Sequence, residues 1–365
     1  MRKSIPLVFA LCICDGVLSF LPYHVRPTSS VFSTSSHSVK LYSSPLNTTF
    51  YGNSERDGDF SAYLSDDYRY GFMAPLLQWA VNSGIEFAPG TEIVANDNGD
   101  WGVELVQSQQ QGTPILTIPN HLILSSQPFQ RTKLYDWMKK NMLDPYFLPE
   151  CLLVVRLLEE LSKGESSRWD TWIQSLPTEF TTGMFLDSFE RSHVMRIAPK
   201  FLEQHEKQWQ MCNSLIAKLA RDPEDVLSPT FRKWLLSQPN ISSTVEWAFS
   251  IVLTRSWRTP DGSHATIVPL GDMFNHHSKD QNVRPSFRAK DNALQICLTQ
   301  DVRCSEDKPI ETFLSYGLCH HPARFLVSFG FCDTTASLID AHVDRYLLKK
   351  GLPSISDEKF WPPID

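Results

Sequence analysis

The chain lacks any pattern of paired cysteines. Its 365 residues hold eight, of which Cys12 and Cys14 lie in an apolar N-terminal run, and none forms a CxxC pair or sits at metal-finger spacing. His276-His277 and His320-His321 have no carboxylate or cysteine partners at ligand spacing, so no metal site is expected. Basic blocks are missing too. Lys139-Lys140 and Lys349-Lys350 are isolated pairs in a chain of net charge −7, which argues against a nucleic-acid partner. The N-terminal apolar run, Ile5 to Cys14, is too short to cross a bilayer as a helix. From Gly16 to Ser54 there is no Asp or Glu.

These gaps describe an address. Met1-Arg2-Lys3 and the apolar run behind it read as a signal peptide over residues 1–19, with Val17 and Ser19 at the −3 and −1 positions and Phe20 as the new first residue. The stretch from Gly16 to Ser54 is Ser/Thr-rich and weakly basic, the composition of a transit peptide, and residues 20–65 are read as a transit-like, disordered segment. A signal followed by a transit-like segment with Phe at the junction resembles the bipartite presequence of algae with secondary plastids. A plastid is therefore expected, with the secretory pathway as the alternative. The unpaired cysteines fit a reducing destination. No membrane association is expected once the presequence is removed.

Hydrophobic residues make up 42% of the chain and aromatics 12%, which is globular composition and enough for a core without staples. Phe72 to Gly84 reads as a helix with Pro75 in its first turn and Gly84 as its stop. Ile85–Val94 and Trp101–Val106 read as strands around the turn Asn96–Asp100, and Pro114–Pro119 as a third strand. Gln127 to Trp247 is largely helical by its spacing, and Val245 to Trp257 reads as a buried helix ending Thr254-Arg255-Ser256-Trp257. Ile267-Val-Pro-Leu-Gly-Asp-Met-Phe-Asn-His276 begins apolar and turns polar at Asp272, as a buried strand does when it delivers polar groups to a site at its end. Glu311-Thr-Phe-Leu-Ser-Tyr-Gly317 is a short strand, followed by Arg324-Phe-Leu-Val-Ser-Phe-Gly-Phe331.

In this order and spacing, with Trp101-Gly-Val103 and Trp169-Asp-Thr-Trp-Ile-Gln-Ser-Leu-Pro177 before them, these stretches resemble the split-SET branch of the SET domain methyltransferases, which includes the Rubisco large-subunit methyltransferase and the actin-histidine methyltransferase. The resemblance covers about residues 72 to 335. It implies an α+β SET fold of short strands and small sheets, with a pseudo-knotted C-terminal half and a mainly helical insert. The implied division is 66–124 and 245–335 for the two SET parts, 125–244 for the insert, and 336–365 for a tail read as the remnant of a substrate-binding domain. It also implies a protein-lysine N-methyltransferase using S-adenosyl-L-methionine on an unidentified protein, with a plastid stromal protein suggested by the address. The alternatives are histidine methylation and a silent protein-binding module.

The same resemblance assigns Tyr316 as the catalytic residue. Trp101, Gly102, Arg255, Asp272, Asn275 and His276 become cofactor-binding residues, and Phe329 joins Tyr316 in the substrate channel. Phe329 stands where relatives carry Tyr, so methylation beyond one methyl is expected. Three departures stand out. Asp100 replaces a glycine of a Gly-x-Gly turn, where glycine permits close backbone approach. Pro322 stands in a loop where relatives have Ser-Asn and cannot donate a backbone hydrogen bond. Ser337–Asp365 stand where the larger relatives continue with a helical domain, so either substrate recognition is expected to work differently or the sequence is cut short.

Overall fold

The structure is a computed structural model. It describes residues 73–331 and 333, apart from 96–100, 198, 222–225, 260, 289, 291 and 317–321, together with three short N-terminal strands. The turn ending at Asp100, the loop around Cys319–His321, most of the leader and the tail lie outside the described residues.

The N-terminal strands are β1 (Leu11–Cys14), β2 (Val17–Phe20) and β3 (Ser38–Lys40). Helix α1 (Met73–Asn82) buries Met73, Leu76, Leu77 and Ala80, the i, i+3, i+4, i+7 stripe of an amphipathic helix. Gly84 ends it at φ +88°. The strand expected over 85–94 is two pieces, β4 (Glu86–Phe87) and β5 (Thr91–Ala95). Gly90 breaks it at φ +73°, where a Cβ would lie 2.9 Å from the Gln107 backbone nitrogen. β6 (Trp101–Leu105), β7 (Pro114–Pro119) and β8 (Leu124–Ser125) complete the first group of strands.

A helical stretch follows: α2 (Lys133–Asn141), α3 (Leu148–Lys163), α4 (Asp170–Gln174), α5 (Ser188–Ile197), α6 (Pro199–Arg221), α7 (Pro229–Ser237) and α8 (Ile241–Arg255). α3 is apolar almost all round and is buried, packing against α8. The tryptophans of the Trp169–Pro177 stretch are packing residues: Trp169 and Trp172 are buried, and Trp169 Nε1 donates to the Leu122 carbonyl at 2.8 Å. α8 begins earlier than expected because the Asn240 side chain caps it, accepting from the Ser243 amide at 3.2 Å. It also ends earlier, since Ser256–Arg258 form β9 and pair with β10 (Ala265–Ile267). β10 pairs with β8 on its other side, which ties the chain before the helices to the chain after them.

The remaining strands are β11 (Asn275–His276), β12 (Val283–Arg288), β13 (Ala293–Leu298) and β14 (Ile310–Leu314), followed by helix α9 (Pro322–Phe329). Pro322 opens α9, a position where its missing N–H costs nothing. One sheet runs β12-β13-β7-β4 and another runs β11-β14-β6-β5-β3. In the second, β11 and β14 are parallel, with Asn275 opposite Phe313, while β14 and β6 are antiparallel. β14 therefore lies between β11 and β6, so Gly102, Asn275 and Tyr316 converge at one place.

Candidate active site

The apolar run from Ile267 is not the continuous strand its residues suggest. β10 stops at Ile267, and Val268 to Met273 fold into a tight turn with Leu270 in the left-handed region at φ +64°. A non-glycine residue there stores strain, which surrounding packing must hold in place. Leu270 is fully buried, and a Cβ on Gly271 would sit 2.9 Å from Val268 Cγ1. The turn directs Asp272 inward instead of continuing the strand.

Asp272 meets Arg255, the last residue of α8. Arg255 Nη1 donates to Asp272 Oδ2 at 2.9 Å and to its carbonyl at 3.1 Å. Burial pushes the Asp272 carboxyl up, and the guanidinium offsets only part of that rise. Asp272 Oδ1 and Arg255 Nε are buried and find no partner among the described residues. A buried polar atom left unpaired costs about 1–3 kcal/mol. Its presence beside a strained turn marks a place shaped for a ligand carrying both a donor and an acceptor.

Gly102 supplies the opposite wall. A Cβ on it would lie 2.8 Å from Glu311 Oε1 and 3.1 Å from Asn275 Nδ2. Those two atoms are hydrogen-bonded to each other at 2.8 Å. Glu311 thus fixes which way the Asn275 amide points, with its carbonyl oxygen left for another donor. Across β5, β6 and β14, Glu92, Glu104 and Glu311 face one another in register. Burial first, then the charges of Glu311 and Glu92, push the Glu104 carboxyl up. The row makes this edge of the site favourable to a cation.

Tyr316 lies between these walls. Its hydroxyl donates to the Phe274 carbonyl at 2.7 Å, and its backbone N–H donates to His276 Nδ1 at 3.0 Å. Burial pushes the phenol up to about 12, with Arg255 opposing and Asp272 and Glu311 adding to the rise. A phenol so placed stays protonated at neutral pH, with its proton on the Phe274 carbonyl. Around it stand Phe329 at 5.2 Å between ring centres, His276 at 5.2 Å and Phe331 at 6.3 Å. The His276 ring stacks on Phe325 at 4.8 Å. His276 Nε2 reaches Asp333 Oδ2 at 3.0 Å and Ser278 Oγ at 3.1 Å.

Arg255, Asp272, Asn275, His276, Gly102, Tyr316 and Phe329 are thus joined by direct contacts or by a single intermediary. Trp101 stands one residue from Gly102, half-buried against the core. Three residues of the site had no signal of their own in the sequence. Glu311 looks like any polar strand residue until the Asn275 amide is seen against it. Phe331 belongs to a run of aromatics, and Asp333 follows them as a lone acid. Among the described residues no group of three His, Cys, Asp or Glu side chains is arranged to hold a metal.

Small sheets that each pair a strand from before the helices with one from after them (β8–β10, β7–β13 and β6–β14), a parallel pair at Asn275–His276 and the helical stretch between give the layout of a SET fold with a helical insert. The chain is 16% identical to the SET domain of LSMT bound to lysine and AdoHcy, with a TM-score of 0.56 over 73% of this chain and 58% of that one. Rubisco LSMT bound to AdoMet gives a TM-score of 0.54 at 16% identity, over 72% and 57%. In sequence the chain is similar to actin-histidine N-methyltransferases. It is 23% identical over 282 residues to that of Dasypus novemcinctus, covering 73% of this chain and 44% of the relative. It is 23% identical over 270 residues to that of Homo sapiens, covering 73% and 43%. The chain therefore spans less than half the length of these curated relatives. No family model matches it.

Proposed function

We propose that the chain is a protein N-methyltransferase that uses S-adenosyl-L-methionine and methylates the ε-amine of a lysine. The observation that carries this reading is the pair of unpartnered buried atoms, Arg255 Nε and Asp272 Oδ1, beside a protonated Tyr316. The cofactor has a carboxylate, an amine and a sulfonium. Arg255 suits the carboxylate through charge-assisted hydrogen bonds. The Asn275 carbonyl oxygen, freed because Glu311 takes the amide NH₂, suits the amine. Gly102 leaves room for the Glu311–Asn275 pair, which a Cβ would meet at 2.8 and 3.1 Å, and so supports the Asn275 amide in that orientation. When bound, the cofactor supplies an electrophilic methyl group.

The chain's own residues then have two tasks. Lysine must lose its proton, which at pH 7.4 costs about 4 kcal/mol from a free pKa near 10.4. The rings of Tyr316, Phe329 and Phe331 offer an apolar approach that disfavours the ammonium. The amine must also lie in line with the methyl group, while Asp272 Oδ1, beside Arg255, is left as an acceptor for the cofactor's own donors. Tyr316, its proton committed to the Phe274 carbonyl, presents its remaining oxygen lone pair to the reacting centre. Phe329 adds no hydrogen bond at the amine, so more than one methyl is accommodated.

Histidine is the second reading, because the curated relatives are actin-histidine N-methyltransferases. An imidazole is largely neutral at pH 7.4 and needs less help to deprotonate. We also propose that the first 65 residues direct the chain to a plastid and that the substrate is a stromal protein. The supporting observation is the acid-free stretch from Gly16 to Ser54.

Titration calorimetry with S-adenosyl-L-methionine tests the cofactor site. Micromolar binding that collapses in Arg255→Ala is the expected result, and a folded chain that does not bind rejects the enzyme. Methylation of extract proteins, read by mass spectrometry, then assigns the acceptor. Product on lysine, with more than one methyl at saturation, supports the first reading; product on histidine alone replaces it with the second.

A further inference from the structure

Tyr316 is held at two atoms, and the backbone one depends on a residue outside the reaction centre. We propose that Asp333 is a positioning residue for Tyr316, acting by selecting the tautomer of His276. The inference rests on the methyltransferase reading only for its kinetic arm.

His276 Nδ1 has two neighbours with opposite demands. The Tyr316 backbone N–H, 3.0 Å away, can only donate, and the Leu314 carbonyl, 3.3 Å away, can only accept. A neutral imidazole carries its proton on one nitrogen at a time. With the proton on Nε2, Nδ1 presents a lone pair and accepts from Tyr316. With the proton on Nδ1, the ring donates to Leu314, and the Tyr316 N–H faces another N–H. The neighbours at Nδ1 do not decide between these states, so the decision falls to Nε2.

At Nε2 the neighbour is a carboxylate. Asp333 Oδ2 lies 3.0 Å away, and the side chains of His276 and Asp333 are 1% and 3% exposed. Ser278 Oγ donates to the same Oδ2, which fixes the carboxylate and spends the serine proton there. A buried carboxylate needs donors, so Asp333 favours the proton on Nε2. The ring plane is already set by stacking on Phe325 at 21° and by the rings of Tyr316 and Phe331, which leaves the proton as the remaining freedom. Asp333 follows Phe331 in sequence, so the chain leaving the aromatic wall also secures the backbone of Tyr316.

The experiment uses the full chain with ¹⁵N-labelled histidine at about pH 8, comparing wild type, Asp333→Asn and Asp333→Leu. Long-range ¹H–¹⁵N spectra report the His276 tautomer, and hydrogen exchange reports the Tyr316 amide. Wild type and Asp333→Asn, whose amide oxygen still accepts, are expected to show the Nε2–H form and a protected Tyr316 amide. Asp333→Leu is expected to populate the Nδ1–H form and to lose at least tenfold in Tyr316 amide protection. Its kcat should fall about tenfold while affinity for S-adenosyl-L-methionine changes less than threefold. A wild-type spectrum showing the Nδ1–H form overturns the inference, even if Asp333→Leu fails to fold. An unchanged tautomer and amide in a folded Asp333→Leu overturns it as well. If the wild type methylates nothing, the enzymatic reading fails, and the two spectra still decide what Asp333 does.

Discussion

Tyr316 carries a phenol pushed up to about 12, chiefly by burial, and that direction bears on how pH should act on the proposed reaction. No phenolate forms in the working range, so no limb of the pH–rate profile should disappear in Tyr316→Phe. The expected loss is in kcat, on the order of 100-fold, as for removal of one oriented hydrogen-bonding group at a reacting centre. Gly102→Ala is expected to act on binding instead. Its Cβ must displace the Glu311–Asn275 pair, and calorimetry should show cofactor affinity falling at least tenfold in a chain that still folds, with a modest drop in melting temperature. A third residue far from the chemistry sets acid stability. His205 on α6 is buried with Nε2 unpartnered among the described residues, and burial lowers its pKa to about 4. A group whose folded pKa lies below its unfolded value of about 6.5 costs stability as the pH drops through that window, because the unfolded chain binds the proton more readily. Between pH 7.5 and 5.5 the loss should be about 1.4 kcal/mol. Denaturant titrations of wild type and His205→Phe should show the pH slope shrinking in the variant.

Among the elements, those bounded by their own local chemistry were readable from sequence. α1 follows its apolar stripe and its glycine stop, and β7 keeps the bounds its residues suggest. Boundaries set by distant partners were not. Ser256–Arg258 left the helical pattern because β10 offered them a strand edge, and β10 lies beyond them in sequence. The turn at Leu270 was hidden for a similar reason, since no local residue type announces a leucine at positive φ. One tie between elements carries its own prediction. Arg258 on β9 grips Glu150 on α3 through two hydrogen bonds of 2.5 and 2.6 Å, and its guanidinium lies 3.9 Å over the Tyr146 ring. Glu150→Gln and Arg258→Met should each destabilise the fold. A double-mutant cycle by chemical denaturation should return a coupling of about 1–3 kcal/mol, because the pair is only partly exposed. The close approach at the end of α9 is stricter. Gly330 sits at φ +84°, and a Cβ there would fall 2.9 Å from the Thr181 carbonyl carbon. Gly330→Ala should cost about 2 kcal/mol or more, read as a lower denaturation midpoint.

Across the whole molecule, motif order conveyed the site better than any single motif. Gly102, Arg255, Asp272, Asn275 and Tyr316 are spread over more than 200 residues, and the sequence could name them only through a resemblance. What it could not supply were the residues that orient them. Glu311 and Asp333 act through side-chain contacts made only after the sheets close. That closure has a consequence for how the chain is made. Among the described strands β14 is the last to be synthesised, yet it fills the gap between β11 and β6. Until Ile310–Leu314 leave the ribosome, both neighbours present bare edges to every other nascent chain in the vicinity. Such long-range closure is slow, and the waiting fragments are prone to stick. Ribosome-stalled chains ending before residue 310 should therefore need a chaperone to stay soluble, and an early stop should yield an aggregate in place of a smaller folded chain.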